Sequence, residues 1–193
     1  MTRTFSAVNP AVGSSVWSGP AATAHEAAAA VASAHQAFAE WPETTFEYRI
    51  ERLRAYAALC AERVEDVAQC ISAETGKTLW ESRGEAKLLG AKVKPSEKTP
   101  GTGELLVSLF HEAGFPKDVI QVVQGARETA EALIHCRETA GVLFTGSYAA
   151  GRAINQAMSS RPEVIVALAK GLEDLVRIGA LGLASQESFG GNP

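Results

Sequence analysis

Gly141-Val142-Leu143-Phe144-Thr145-Gly146-Ser147-Tyr148-Ala149-Ala150-Gly151 decides the fold. Val142-Leu143-Phe144 is a short apolar run that stops at a glycine and a serine. The residues from Tyr148 to Ser159 then take helical spacing. A buried strand opens here into a helix. Gly146 allows backbone to approach a phosphate, the Ser147 hydroxyl can donate to one, and the first helical turn offers unpaired N–H groups. An ordinary tight turn with a serine cap carries the same local pattern, and the pattern alone leaves both readings open.

Upstream, Lys94-Pro95-Ser96-Glu97 has the same character. Ala91 to Lys94 forms a short strand candidate, and Pro95 fixes the exit from it. A carboxylate such as Glu97 can accept both hydroxyls of an adenosine ribose, with Lys94 donating to the same group. A solvated loop with a salt bridge is the plain alternative. Between the two runs, Thr99 to Ala113 gives a helix with Leu105, Leu106, Leu109 and Phe110 as its apolar face, closed by Gly114. Val119 to Val123 is a β-branched run ended by Gly125, and Glu128 to Cys136 is helical. Val164 to Leu168 follows as a further strand. Strands at 91–95, 119–124, 141–145 and 164–168, separated by helices, predict an α/β fold. Its centre is a partial Rossmann-like parallel sheet with flanking helices.

An N-terminal helical region precedes this sheet. Residues 4–20 read as a hairpin turning at Asn9-Pro10. Thr23 stands three residues before Glu26, a capping box that opens an alanine-rich helix ending before Pro42. Thr44 and Glu47 repeat the signature before a helix with Ile50, Leu53, Ala57 and Cys60 on one stripe. A third helix runs from Val64 to Ala73 and stops near Gly76; a fourth runs from about Thr78 to Gly90. The expected organisation is a hairpin and helices over 1–90, a partial dinucleotide-binding domain over 91–169, and a divergent tail over 170–193. That tail reads as a helix followed by a loop.

Composition narrows the function. With 46% hydrophobic and 21% charged residues the chain is globular. A net charge of -4 with mixed signs gives no basic stripe, so nucleic acid is not an expected partner. The most apolar stretch, Val164 to Ala184, is interrupted by Lys170, Glu173, Asp174 and Arg177 and does not read as a membrane span. Cys60, Cys70 and Cys136 lack metal-ligand spacing, and their odd number suits reduced thiols in a cytoplasm. Cys60 and Cys70 fall on helical stripes and read as core residues. Cys136 lies between His135 and Arg137, a basic setting that can lower a thiol pKa. His25, His35, His111 and His135 have no acid or cysteine partner at a meaningful spacing. Gly101-Thr102-Gly103 superficially matches a dinucleotide fingerprint but follows no clear strand. No metal site is expected.

Taken in order, a set of these residues resembles the NAD-dependent aldehyde dehydrogenases. The matching elements are Asn9-Pro10 with Trp17, Ala37-Phe38 with Trp41, Glu74-Thr75-Gly76-Lys77, Lys94 to Pro100, Gln124-Gly125 with Arg127-Glu128-Thr129, and Phe144 to Ser147. The Gln-Gly-x-Arg-Glu-Thr run is similar to the succinylglutamate-semialdehyde branch, which acts in arginine breakdown. This resemblance implies that Lys94 and Glu97 hold the adenosine ribose of NAD and that Gly146, Ser147 and Gly151 lie along the pyrophosphate. It implies an oxidoreductase that converts a semialdehyde to a carboxylate. A cysteine nucleophile, a glutamate base and an asparagine oxyanion donor carry that chemistry in the family.

No residue of this chain matches those three groups, so no catalytic residue is assigned. The family has an additional long stretch between Gly90 and Lys94. Ala169 and Lys170 stand where its Glu-x-Gly-Gly base belongs, and Glu187 in Glu187-Ser188-Phe189-Gly190-Gly191 sits one residue early. The expectation is therefore an internally deleted, truncated member with weak or lost NAD binding. The alternative is a non-catalytic nucleotide-binding or interaction module. A new site built from Cys136 and Glu187 is a third reading. With the family's partner surfaces missing, self-association is expected, and Leu105, Leu106, Leu109 and Phe110 are expected to be only partly covered.

Overall fold

The computed structural model describes residues 3–88 and 99–169. The strand expected at 91–95, the residues Lys94 and Glu97, and the whole tail with Glu187 lie outside the described residues. Two compact units divide the chain, Met1–Leu133 and Ile134–Pro193.

The first unit begins with an antiparallel hairpin, β1 (Thr4–Val8) and β2 (Ser15–Pro20), with Ala7 opposite Trp17. Helix α1 (Ala24–Glu40) starts at the expected capping box: Thr23 accepts from the Glu26 amide while the Glu26 carboxylate accepts from the Thr23 amide. Helix α2 (Phe46–Glu62) is capped by Thr45, whose side chain accepts from the Tyr48 amide at 3.1 Å, and not by Thr44. The reason is local. Thr44 closes the 3-10 turn at Trp41–Glu43, its hydroxyl donating to the Trp41 carbonyl at 2.6 Å. Helix α3 (Val64–Thr75) ends at Gly76, which adopts a left-handed φ of 70°. Helix α4 (Leu79–Leu88) opens on a capping box between Thr78 and Glu81.

Helix α5 (Pro100–Glu112) is the centre of this unit. Its Leu106 and Leu109 are 1% exposed, so the expectation of a partly uncovered face fails there. They pack with Tyr56 and Cys60 of α2 and with Val67, Ala68 and Ile71 of α3, while Leu105 and Phe110 lie at the edge of the same cluster. Tyr56 stacks on Phe110 with ring centroids 3.7 Å apart. The helix ends in a Schellman turn: Phe115 N–H donates to the Phe110 carbonyl and Gly114 N–H to the His111 carbonyl. Gly114 takes φ 90°, and Phe110 meets Phe115 edge-on at 5.3 Å.

Val119–Val123 is not a strand, which corrects the sequence expectation. Its polar groups bond elsewhere. Gln124 carbonyl accepts from Ala22 N–H, and Gln121 Nε2 donates to the Ala30 carbonyl. Val119 and Ile120 instead lie half-buried against the hydrophobic core. A β-branched run records a preference for burial, and pairing needs a partner strand alongside.

Helix α6 (Arg127–His135) leads to the second unit, where β3 (Gly141–Thr145) pairs in parallel with β4 (Ile165–Ala169), joined through α7 (Tyr148–Met158). Register runs from Gly141 opposite Ile165 to Thr145 opposite Ala169. Parallel pairing across a helical crossover is the βαβ unit the alternating sequence predicts. The chain thus forms a mixed helix-and-strand fold with one short parallel sheet among the described residues.

Candidate functional site

The turn from β3 into α7 is the place the sequence marks for a nucleotide. Ser147 is the N-cap of α7, with extended backbone at φ -69° and ψ 149°; its Oγ accepts from the Ala150 amide at 3.3 Å. A hydroxyl has one proton and two lone pairs, so this bond leaves its proton available for an acceptor in front of the helix. Gly146 is required by packing. A Cβ there would meet the Phe144 ring at 2.4 Å, because the ring folds back under the turn. Gly151 is buried one turn into α7. A Cβ on it would lie 3.8 Å from Leu168 Cδ1 and 3.9 Å from Phe144 Cδ1, so the helix rests closely on both strands. The structure therefore brings Gly146, Ser147 and Gly151 together at the carboxyl end of a parallel strand. Lys94 and Glu97 are outside the described residues.

A second helix start tests the other glycine pattern. The N-terminus of α5, at Gly101-Thr102-Gly103, is filled by the chain's own carboxylate. Glu74 Oε1 accepts from Gly101 N–H at 2.7 Å, and Oε2 accepts from Thr102 N–H at 3.0 Å and from Thr102 Oγ1 at 2.6 Å. Glu74 is 6% exposed. Glu74 thus occupies the place at the helix terminus where a phosphate would sit. Trp17 lies beside it, with Nε1 donating to Glu104 Oε2 at 2.9 Å.

Gln124 and Thr129 bond to neighbouring loops. Gln124 Nε2 donates to the Pro100 carbonyl at 2.8 Å, and Thr129 Oγ1 donates to the Ala22 carbonyl at 2.9 Å. The Gln-Gly-x-Arg-Glu-Thr run thus ties the start of α6 to the loops before α1 and α5. Cys60 is buried, and burial pushes its thiol pKa up. Cys70 is half-buried, a correction to its reading as a core residue, and burial raises its pKa as well. Cys136 is half-buried at the end of α6, and none of the three cysteines forms a disulfide. His111 Nε2 lies 2.8 Å from the Ile120 carbonyl. Among the described residues no group of three His, Cys, Asp or Glu side chains could hold a metal ion, and no helix is long and apolar enough to cross a membrane.

Sequence reasoning missed Arg161. Its guanidinium donates to the carbonyls of Cys136 (2.9 Å), Arg137 (2.8 Å) and Thr139 (3.0 Å), with a longer contact to Ile134 (3.5 Å). Nε also pairs with Glu163 at 3.1 Å. One cation closes the carboxyl end of α6 and fixes the entry to β3, at the end of the sheet away from Ser147. Nothing in the spacing around Arg161-Pro162 marks it, because the carbonyls it holds lie more than twenty residues away, and only Glu163 is a near neighbour.

Comparison with known proteins agrees with this architecture. The sequence pattern of the aldehyde dehydrogenase family matches residues 1–93 and 90–173. N-succinylglutamate 5-semialdehyde dehydrogenase of Burkholderia vietnamiensis is 31% identical over 239 residues, covering 92% of this chain and 49% of that protein. The Caulobacter vibrioides protein named N-succinylglutamate 5-semialdehyde dehydrogenase 2 is 33% identical over 229 residues, covering 86% and 47%. In both cases the chain spans about half the relative's length. Among solved structures, an NAD-dependent benzaldehyde dehydrogenase from Corynebacterium glutamicum superimposes with TM-score 0.79 at 22% identity, covering 87% of this chain and 51% of that one. A betaine aldehyde dehydrogenase from Staphylococcus aureus in complex with NAD+ also gives 0.79, at 22% identity over 86% and 46%. The two matched stretches together take in most of the chain, and the parallel β3–α7–β4 unit agrees with that fold. This chain belongs to the aldehyde dehydrogenase family.

Proposed function

We propose that these 193 residues are a dinucleotide-binding portion of an aldehyde dehydrogenase of the succinylglutamate-semialdehyde type, the branch of arginine breakdown. The ligand is NAD. Its pyrophosphate lies along Gly146, Ser147 and Gly151, and Lys94 and Glu97 hold the adenosine ribose. The observation that carries this reading is the cap of α7, where a serine hydroxyl and the first-turn amides meet at the carboxyl end of a parallel strand.

The turn fits such a group on its own chemistry. Gly146 presents bare backbone above the Phe144 ring, and Ser147 keeps a proton to donate while it holds the Ala150 amide. When bound, the dinucleotide supplies a hydride acceptor. The chain's residues bind and orient it, and no described side chain acts as a nucleophile on an aldehyde. A cytoplasmic setting fits the three thiols.

Binding is weak or lost, because affinity depends on both walls of the cofactor crevice and the family's additional stretch between Gly90 and Lys94, with its first Rossmann strand, has no counterpart in this sequence. Ser147→Asp tests the site: a carboxylate set against the pyrophosphate abolishes NAD binding while remaining an adequate helix cap. Unchanged binding in that variant would place the ligand elsewhere. Incubation of the 193-residue protein with NAD and a panel of semialdehydes yields no NADH above buffer; cysteine-dependent NADH production would overturn the absence of turnover.

A further inference from the structure

Helix α4 carries a face that the described residues of its unit leave uncovered. Ser82 and Ala86 are 0% and 2% exposed and point into the protein, whereas Trp80 and Leu88 are 80% and 59% exposed. Trp80, Gly84 and Leu88 follow at intervals of four and form one stripe opposite the buried side. Gly84 is at its centre. A Cβ there would meet no described residue within 4 Å, and its φ is not positive, so neither crowding by the described residues nor backbone conformation calls for glycine. Glycine in a helix interior is unfavourable relative to alanine. A bare backbone between two exposed large apolar side chains suits the close approach of a second helix.

The charges beside the stripe identify that helix. At 100° per residue, Glu81 and Glu85 fall on one flank of Gly84, and Arg83 and Lys87 on the other. Arg83 and Glu85 have partners in the chain, Glu65 and Lys77, yet their side chains remain 47% and 45% exposed. A face with one acidic and one basic flank is complementary to itself when two copies run parallel about a two-fold axis. Each acidic flank then meets the other copy's basic flank; antiparallel copies would set acid against acid. We infer that α4 is the contact surface of a parallel two-fold dimer of this chain, with Trp80, Gly84 and Leu88 of each copy at its centre. This inference is independent of nucleotide binding. A ten-residue helix rises only about 15 Å, so the contact is small and the dimer dissociates in the micromolar range.

Sedimentation equilibrium of the full chain across micromolar concentrations tests it. A monomer–dimer equilibrium is expected, weakened about tenfold or more by Trp80→Ser, which removes the central apolar anchor. Gly84→Glu weakens it similarly yet raises the melting temperature by about 3 °C, because a good helix former replaces glycine. These opposite signs separate an interface role from misfolding. Glu85→Lys alone and Lys87→Glu alone each dimerise less well, and mixing the two variants restores a one-to-one heterodimer. A chain monomeric throughout, aggregation without a defined stoichiometry, or a dimer indifferent to Trp80→Ser and Gly84→Glu would overturn the inference. Failure of the mixed variants to pair would overturn the parallel arrangement.

Discussion

Glu74 and Arg161 each satisfy several backbone groups with one charged side chain, and neither role is readable from neighbours in sequence. Glu74 stands in Glu74-Thr75-Gly76-Lys77, a run legible as a family element, but its bonds to Gly101 and Thr102 cross from one helix to another. Glu74→Gln keeps the size and leaves one oxygen to accept where two did. It should lower stability by about 2 kcal/mol in urea unfolding. Arg161→Ala removes the guanidinium donors to the carbonyls of Cys136, Arg137 and Thr139 and should cost about 2 kcal/mol. Fluorescence from Trp17, Trp41 and Trp80 reports the first unit, so amide exchange at β3 and β4 is the better monitor for Arg161. Three surface carboxyls contribute to the acid sensitivity of the fold. Hydrogen bonds from Thr23 lower the Glu26 pKa below 4.5, the Arg83 guanidinium lowers that of Glu65, and its own backbone N–H followed by Arg161 lowers that of Glu163. A depressed folded-state pKa contributes stability that is present above the unfolded value and lost as pH falls through the folded one. Melting temperature should therefore hold near neutral pH and decline below about pH 4.5.

At the scale of elements, local chemistry was the legible part. The Thr23–Glu26 box, the stop at Gly76, the close at Gly114 and the cap at Ser147 each follow from residues within one turn of the event. Thr45 displaced Thr44 by a single position because two adjacent threonines offer the same hydroxyl and the 3-10 turn had claimed the first. Val119–Val123 misled for a different reason: its apolar side chains are half-buried, and Val119 and Ile120 rest against the hydrophobic core, not in a sheet. Strand identity depends on a distant partner, and single-residue preferences do not encode one. Gly114→Ala tests the local side. A left-handed φ of 90° and an Arg52 Nη1 that a Cβ would meet at 2.5 Å both oppose the substitution. Thermal unfolding should show a loss of roughly 1–2 kcal/mol. Gly151→Ala, at ordinary contact distance from Leu168, should change stability far less.

For the whole molecule, the alternation of apolar runs and helical spacing foretold the parallel βαβ unit, and the order of short runs foretold the family. What remained hidden was where charged side chains satisfy backbone from afar, as at Glu74 and Arg161, and which helix face goes uncovered, as at Trp80. Those outcomes depend on packing between elements that no local window contains. The proposed dinucleotide site is the β3–α7 turn. Titrating NAD into isotope-labelled protein and following backbone amide resonances tests it most directly. Progressive, saturable shifts centred on Gly146, Ser147 and the first turn of α7, absent in Ser147→Asp, are the predicted result. An unperturbed turn at saturating NAD, or shifts confined to the N-terminal helices, would contradict it.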